Sequence, residues 1–260
     1  MTDARPTADL PPLAPRAWLR YDVVEPLVRR LAPRTVLEMG CGQGGFGTRL
    51  ARAAGPGGYL GVEPDAQAAA VAQSRITPPQ GTVLLGDQRA VPAGSHYDLV
   101  CAFEVLEHLE HDAEMLGVWA SFVRPGGHLL LSVPAWQNRF GPMDTKAGHY
   151  RRYSPEELGT LLRGAGLDPV QITLYGWPLG YLLEAVRNPL DARRLAREPQ
   201  ELDPMQRTSS TGRTFQPTKP LVGKAIQLGT APFRRIQRAM PTRGTGLVAL
   251  ARRPPGEPGD

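Results

Sequence analysis

The chain is poor in cysteine, in lysine and in long apolar runs, and each shortage excludes a class of protein. Its two cysteines, Cys41 and Cys101, are too few and too isolated for a disulfide framework or a cysteine metal site. No secretory signal pattern opens the sequence, so we expect a reducing cytoplasm. The longest uncharged run near the middle, residues 169–183, is too short for a membrane-spanning helix and is interrupted by proline and glycine.

Positive charge is concentrated in the C-terminal part. The net charge is +5, but residues 1–186 hold 16 Lys/Arg against 19 Asp/Glu, whereas residues 187–260 hold 14 against 6. Only three of the 30 basic residues are lysines, which fits a GC-rich coding bias, so the arginine count needs no ligand to explain it. The basic part also has few aromatic residues to stack on bases, which argues against a nucleic-acid partner.

Short β-rich runs alternate with helical stretches from residue 34 onward. The β-rich runs are residues 35–39, 58–62, 82–85, 97–103 and 128–133. The helical stretches are residues 45–54, 65–75 and 108–123. This alternation predicts an α/β fold with a doubly wound, mostly parallel sheet. Ligands of such sheets bind beyond the carboxyl ends of the strands.

The C-terminal half predicts a further helix, two more strands and a long insertion. Residues 154–157 read SPEE, a capping box that starts a helix running to about residue 164. Residues 170–174 and 245–251 predict the last two strands, and the roughly 70 residues between them exceed an ordinary connection. We therefore predict an insertion over 176–244.

This insertion contains short helices at 180–187 and 232–240, joined by a polar stretch at 208–214. Residues 1–15, which include four prolines, are expected to form a flexible tail. Residues 16–260 are expected to form one domain.

A glycine-spaced turn follows the first predicted strand. Residues 35–44 read TVLEMGCGQG, in which Gly40, Gly42 and Gly44 allow a sharp turn and close approach of the backbone to a nucleotide. Gly40, Gly42 and Gly45 also match the G-x-G-x-x-G dinucleotide pattern, with Glu63 near the position of a ribose-binding acid. The loop alone is therefore compatible with either S-adenosylmethionine or NAD as the cofactor.

Acidic residues lie at four predicted strand ends and favour S-adenosylmethionine. The charge of Glu38 suits the ammonium of a methionine moiety and would repel a pyrophosphate. Glu63 can accept both ribose hydroxyls, which either cofactor allows. Asp87 can accept a hydrogen bond from an adenine amino group, and Glu104 follows the fourth strand.

On these residues the chain resembles the class I S-adenosylmethionine-dependent methyltransferases, over residues 16–186 and the final strand. The resemblance implies that the first loop holds the methionine part, the second-strand acid the ribose, and the third-strand Asp the adenine. It also implies a seven-stranded sheet whose last strand is antiparallel. The long insertion departs from the family pattern. The predicted cofactor-binding residues are Glu38, Gly40, Cys41, Gly42, Gly44, Glu63, Asp87, Phe103 and Glu104.

Residues 103–108, FEVLEH, resemble a segment of quinone-biosynthesis O-methyltransferases and one of small-RNA 2′-O-methyltransferases. In the latter family the two acids and the histidine bind a divalent metal with a later histidine. The equivalent set here is Glu104, Glu107, His108 and His149. The alternative is that the acids make local hydrogen bonds while His108 lines the pocket, and we include no metal in the predicted site.

His149 is the predicted general base or acceptor-positioning residue, with His108 as a second catalytic candidate. Loops in this part of the methyltransferase fold cover the acceptor site, and neutral imidazole can take a proton from a hydroxyl. Arg151 and Arg152 are interpreted either as an anion site for the acceptor or as ion-pair partners of acids such as Asp144.

The predicted function is methyl transfer from S-adenosylmethionine to a hydroxyl oxygen of a small-molecule acceptor. The alternatives are a nucleic-acid or lipid-like acceptor, an NAD-dependent oxidoreductase and a non-catalytic cofactor-binding module. The helix at 232–240 carries Phe233, Ile236 and Met240 on one face, which indicates a cover over the acceptor pocket or a weak membrane-surface contact. The oligomeric state stays open.

Overall fold

The computed structural model describes residues 10–196 and 220–256, and its centre is a seven-stranded sheet. The strands are β1 Val36–Met39, β2 Tyr59–Glu63, β3 Gly81–Leu85, β4 Tyr97–Phe103, β5 Val123–Pro134, β6 Val170–Gly176 and β7 Gly244–Arg252. Their order across the sheet is β3-β2-β1-β4-β5-β7-β6. Strands β1 to β5 pair in parallel, whereas β7 runs antiparallel to β5 and to β6. The predicted fold class is confirmed.

Helices cover both faces of this sheet. They are α1 Pro15–Leu31, α2 Gly47–Ala54, α3 Ala66–Arg75, α4 Asp112–Ser121, α5 Pro142–Ala147, α6 Pro155–Gly164, α7 Leu179–Leu195 and α8 Pro220–Ala239. Successive side chains of β5 point to opposite faces of the sheet, and both faces are buried along the second half of the strand. Leu129 and Leu131 join the core beneath α4 and α6, while Leu130 joins the core beneath α1 and α2. None of the described helices is long and apolar enough to cross a membrane.

Both insertion helices are longer than predicted. α7 has 17 residues and α8 has 20, whereas the sequence predicted helices at 180–187 and 232–240. Each helix continues through an internal proline, Pro189 in α7 and Pro232 in α8. Pro232 is the residue at which the sequence predicts the second helix to begin. The predicted polar stretch at 208–214 lies outside the described residues.

Three further elements differ from prediction. Helix α4 begins at Asp112, not at His108, because Glu104 adopts a left-handed φ of 57° and the chain then forms one 3₁₀ turn over Leu106–His108. Strand β5 begins at Val123, five residues before the start of the predicted run 128–133. Residues 10–14 contact the domain, since Leu13 is buried and Arg49 donates to the carbonyl of Pro11 at 3.0 Å.

The predicted capping box at the start of α6 is confirmed. The Ser154 hydroxyl accepts from the Glu157 N–H at 3.2 Å, and the Glu157 carboxylate accepts from the Ser154 N–H at 2.8 Å. This start fixes where the preceding loop, residues 148–153, rejoins the domain.

Candidate functional site

The glycine loop after β1 has the backbone that its sequence requires. Gly40, Gly42 and Gly44 have φ of 64°, 55° and 76°, in the left-handed region that favours glycine. A Cβ on Gly40 would lie 2.7 Å from a methyl group of Val105, so this glycine lets the loop approach the turn after β4. A Cβ on Gly42 would meet nothing within 4 Å, so Gly42 borders open space. A ligand can therefore approach the backbone at Gly42.

Glu63, the last residue of β2, is held by the backbone. Its Oε2 accepts from the Gly42 N–H at 2.7 Å, and its Oε1 accepts from the Asp65 N–H at 3.0 Å. Burial raises the pKa of Glu63, and the two amide hydrogen bonds oppose that rise. A carboxylate has about four acceptor positions, so each oxygen keeps one for a hydroxyl. The geometry fits a ribose diol bound beside Gly42.

Glu38 is buried inside the first loop and its carboxylate accepts from the Tyr59 hydroxyl at 2.6 Å. Burial raises the pKa of Glu38 to about 8, the Tyr59 hydrogen bond lowers it, and nearby Glu63 raises it further. Gly47 opens space for the carboxylate, since a Cβ there would lie 3.0 Å from Glu38 Oε2. Contact with a cofactor ammonium stays a prediction.

The other cofactor-binding candidates have different surroundings. Asp87 lies two residues beyond β3 and forms an ion pair with Arg89 at 2.6 Å, with part of its carboxylate exposed. The Cys41 N–H donates to the carbonyl of Val62 at 3.1 Å, so it is already used within the protein. Phe103 packs edge-on against Phe46 with ring centroids 4.8 Å apart. A cofactor contact for Cys41 stays a prediction.

Glu104 is held by three groups from other elements. Its carboxylate accepts from Arg20 and from the Ser132 hydroxyl, both at 3.1 Å, and from the Tyr175 hydroxyl at 3.4 Å. Burial alone would raise the pKa of Glu104, but the charges of Arg20 and Arg16 outweigh it and the pKa is lowered. Sequence reasoning missed Arg20 and Tyr175, because nothing in their local pattern indicates a contact with the end of β4.

Glu107, His108 and His149 come together beyond the carboxyl end of β4. One ligand atom from each lies within 4.8 Å of the others. The imidazole rings of His108 and His149 meet at nearly a right angle with centroids 4.6 Å apart. Glu104, the fourth residue of the predicted metal set, does not belong to this group. Two histidines and one carboxylate could hold a divalent cation.

Asp144 orients His149. His149 Nδ1 lies 2.9 Å from Asp144 Oδ1, and its Nε2 lies 3.9 Å from Glu107 Oε1. Asp144 also accepts two hydrogen bonds from Arg152, at 2.9 and 2.8 Å, and one from the Gly141 N–H. Burial would raise the pKa of Asp144, but the hydrogen bonds from His149 and Arg152 outweigh it and lower the pKa to about 2. An ionised Asp144 requires the proton on Nδ1, which leaves the lone pair of neutral His149 on Nε2.

Arg152 is an ion-pair partner, as one of the two sequence interpretations proposed. Its fully buried guanidinium donates to Asp144 and, at 3.0 Å, to Glu184 of α7. Glu184 also accepts from Arg139 at 2.6 Å. Arg151 donates to Asp112 at 3.2 Å. Burial of Arg152 excludes it as a surface for an acceptor anion.

The two remaining side chains beside His149 have pKa values shifted toward their uncharged forms. Among the described residues, Glu107 is fully buried and its carboxylate oxygens have no hydrogen-bond partner. Burial and the charge of Glu104 raise the pKa of Glu107 well above its usual range. Burial and the proximity of His149 lower the pKa of His108 to about 3. Nε2 of His149 thus lies beside two polar side chains, those of Glu107 and His108.

The comparisons with known proteins agree with this geometry. The model of the methyltransferase domain family matches residues 16–172, more than half of the chain. The chain belongs to the class I S-adenosylmethionine-dependent methyltransferases. S-adenosylmethionine is the cofactor of this family, so the predictions of family and cofactor are confirmed and the NAD alternative is set aside.

The relatives of this methyltransferase carry different functional names. A probable S-adenosylmethionine-dependent methyltransferase of Mycolicibacterium smegmatis is 35% identical over 159 residues, 58% of this chain and 59% of that protein. The ubiquinone biosynthesis O-methyltransferase of Ralstonia nicotianae is 26% identical over 64% of this chain and 76% of its own length. A methyltransferase structure from Archaeoglobus fulgidus shares the fold, with a TM-score of 0.53 at 16% identity, covering 90% of this chain and 91% of that one.

Two glycines could have indicated one missed contact, that of Tyr59 with Glu38. Gly61 lies in the interior of β2, where glycine often marks close approach of another group. A Cβ there would lie 2.7 Å from the Tyr59 hydroxyl, and one at Gly47 would lie closer still. Glu184 carries no comparable signal.

Proposed function

We propose that this methyltransferase transfers a methyl group from S-adenosylmethionine to a hydroxyl oxygen of a small-molecule acceptor, with His149 as the general base. The observation that carries the proposal is the Asp144–His149 pair, which occupies Nδ1 and leaves Nε2, 3.9 Å from Glu107 Oε1, as the basic atom. The turn containing Glu107 lies next to the glycine loop through the contact between Val105 and Gly40.

The residues of the site have separate tasks in this proposal. When bound, S-adenosylmethionine supplies a methyl group on a sulfonium, which needs an in-line nucleophile. His149 Nε2 accepts the proton of the acceptor hydroxyl, and Asp144 stabilises the resulting imidazolium. A positioned base contributes about 10²–10⁴ in rate, and orientation of the two reactants can lower the barrier by about 7–11 kcal/mol.

Two further observations support a neutral hydroxyl as the acceptor group. The raised pKa of Glu107 and the lowered pKa of His108 favour uncharged hydrogen-bonding partners beside His149. The buried Arg152 is committed to Asp144 and Glu184 and leaves no anion site there. In addition, the relative from Ralstonia nicotianae is named an O-methyltransferase of ubiquinone biosynthesis, and segment 103–108 resembles that group.

A radiolabelled-methyl assay over a panel of hydroxylated small molecules tests the proposal, with product identification by mass. We expect His149→Ala to keep its affinity for S-adenosylhomocysteine and to lose turnover by at least about 10²-fold, since the base is lost and the cofactor loop is not. His111→Ala, at an exposed histidine near the start of α4, is the matched control and should keep full turnover.

Unchanged turnover in His149→Ala would reject its role as a base. Binding of S-adenosylhomocysteine without methyl transfer to any acceptor would favour a non-catalytic cofactor-binding module.

A divalent cation is the second candidate at this site. The proximity of Glu107, His108 and His149 favours it, because metal binding would also explain a buried carboxylate without hydrogen bonds. Chelation separates the two versions. Turnover that survives extensive dialysis against EDTA supports His149 as a metal-free base, whereas turnover lost to EDTA and restored by Mn²⁺, Mg²⁺ or Zn²⁺ supports metal assistance.

A further inference from the structure

Helix α7 has the reverse of the usual amphipathic arrangement. Leu182, Val186 and Leu190 recur every four residues on its outward face and are 56%, 62% and 46% exposed. The acidic residues of the same helix, Glu184 and Asp191, are buried against the domain. A surface helix ordinarily buries its apolar face and exposes its polar one. The outward apolar face of α7 therefore indicates a binding surface.

Helix α8 exposes apolar side chains as well. Leu221 and Leu228 are 80% and 74% exposed, and Ile236 is also exposed. Of the eleven large apolar residues exposed in the described part of the chain, eight lie between residues 179 and 240, so they belong to the insertion and not to the sheet domain. We call the exposed faces of α7 and α8 the insertion surface, defined by Leu182, Val186, Leu190, Leu221, Leu228 and Ile236.

The charges exposed on these two helices all have one sign. α8 contains no Asp or Glu, and both acidic residues of α7 are buried. Arg193 on α7 and Arg235 on α8 are exposed. Each of the two helices thus combines an exposed apolar face with positive charge.

This combination identifies the kind of partner. A two-fold contact between copies of the chain would place the same basic face against itself, so like charges would oppose it. Nucleic acid would match the charge but would leave the exposed leucines in water, and the aromatic residues of α7 and α8 are not exposed for stacking. An anionic bilayer satisfies both features, since apolar side chains enter the acyl boundary while arginines contact lipid phosphates.

We propose that the insertion surface docks the protein on an anionic membrane. The sequence assigned such a contact only to residues 232–240, whose Phe233 is half-buried against α1. The docking helix α7 is also linked to the candidate base, because Glu184 on its inward side holds Arg152, which holds Asp144. Docking does not depend on methyl transfer, so either proposal can fail without the other.

Vesicle flotation with the full chain tests the proposal. We expect binding to phosphatidylcholine vesicles that contain phosphatidylglycerol, weaker binding at high salt, and no binding to phosphatidylcholine alone. The triple variant Leu182→Gln, Val186→Gln, Leu190→Gln should lower the partition coefficient at least about tenfold, since three inserted side chains become polar. Leu85→Gln, at an equally exposed leucine at the end of β3, is the matched control and should bind like the wild type.

The electrostatic half of the proposal has its own variants. Arg193→Glu with Arg235→Glu should weaken binding to the anionic vesicles at least about tenfold, whereas Arg163→Glu on α6 should not. Thermal melting checks that each variant is folded.

Four results would overturn the proposal. They are no binding to either vesicle, equal binding to both vesicles, binding unaffected by the α7 triple variant, or a concentration-dependent dimer that the triple variant abolishes.

Discussion

At the residue scale, two buried carboxyl groups show how the number of hydrogen-bond donors sets charge. Asp144 receives bonds from His149, from Arg152 and from a backbone amide, and its pKa falls to about 2. Glu38 receives one hydroxyl, and burial raises its pKa to about 8. Asp144 is therefore ionised before any ligand binds, whereas Glu38 near neutral pH needs a cation to ionise it.

The raised pKa of Glu38 makes a pH-dependent prediction for cofactor binding. Only ionised Glu38 attracts an ammonium, and below its pKa of about 8 the ionised fraction rises with pH. Affinity for S-adenosylhomocysteine should therefore increase roughly tenfold per unit between about pH 6 and pH 7.5, as measured by calorimetry.

Glu38→Gln should bind more weakly at the upper end of that range and should lose the slope, because the amide does not titrate there. Glu25→Gln, at an exposed carboxylate on α1, is the control and should keep the slope. A flat wild-type profile would contradict contact between Glu38 and the ammonium.

At the scale of elements, the two insertion helices have different relations to the site. α7 reaches it through Glu184, which joins Arg16, Arg139 and Arg152 on three other segments. α8 instead lies along α1, where Gln237 donates to the carbonyl of Leu19 at 2.8 Å. Within the described residues, the helix linked to His149 is therefore α7, and a cover over the acceptor pocket formed by 232–240 stays a prediction.

Loss of Glu184 should be strongly destabilising. Glu184→Ala would leave Arg152 buried with Asp144 alone, and breaking a buried ion pair costs about 3–5 kcal/mol. Denaturant unfolding measures the change. Glu25→Ala, which removes an exposed i,i+4 pair with Arg29, is the control and should cost about 0.3–0.5 kcal/mol. Similar losses in both variants would show that the network around Glu184 adds no particular stability.

At the scale of the whole molecule, the doubly wound sheet by itself would accommodate either of two nucleotide cofactors. The acids at its strand ends and the family match favour S-adenosylmethionine. The loop at Gly42 provides a stringent test, because a Cβ there would enter open space beside Glu63, where we expect the cofactor to bind.

Thermal melting separates the cofactors. S-adenosylhomocysteine at 100 times its dissociation constant should stabilise the protein by about 2.7 kcal/mol, and NAD should not.

Gly42→Ala should lose the stabilisation by S-adenosylhomocysteine, because its methyl group occupies the ligand side of the loop. Gly57→Ala is the matched control, since Gly57 also has a positive φ and open space but lies outside the site. Both variants carry a similar backbone strain of about 1–2 kcal/mol. Stabilisation by NAD instead would contradict the assignment.

Much of the fold could be predicted because its signals are local. The strands of the parallel sheet, the glycine loop and the capping box at Ser154 each lie in a short continuous stretch. The lengths of α7 and α8 could not be predicted from the sequence. Pro189 and Pro232 indicate helix ends, whereas both helices continue through them. The sequence predicts a helix that begins at His108, because the positive φ of Glu104 has no sequence signature in a non-glycine residue.

The sequence by itself determined the order of the strands along the chain, the glycine loop and the acids at the strand ends, since periodicity and spacing act over a few residues. Only the tertiary structure decided which acids have raised pKa values, that Asp144 orients His149, and that Glu184 of the insertion joins them. Those properties depend on burial and on contacts between segments far apart in the chain, and neither is recorded in local spacing.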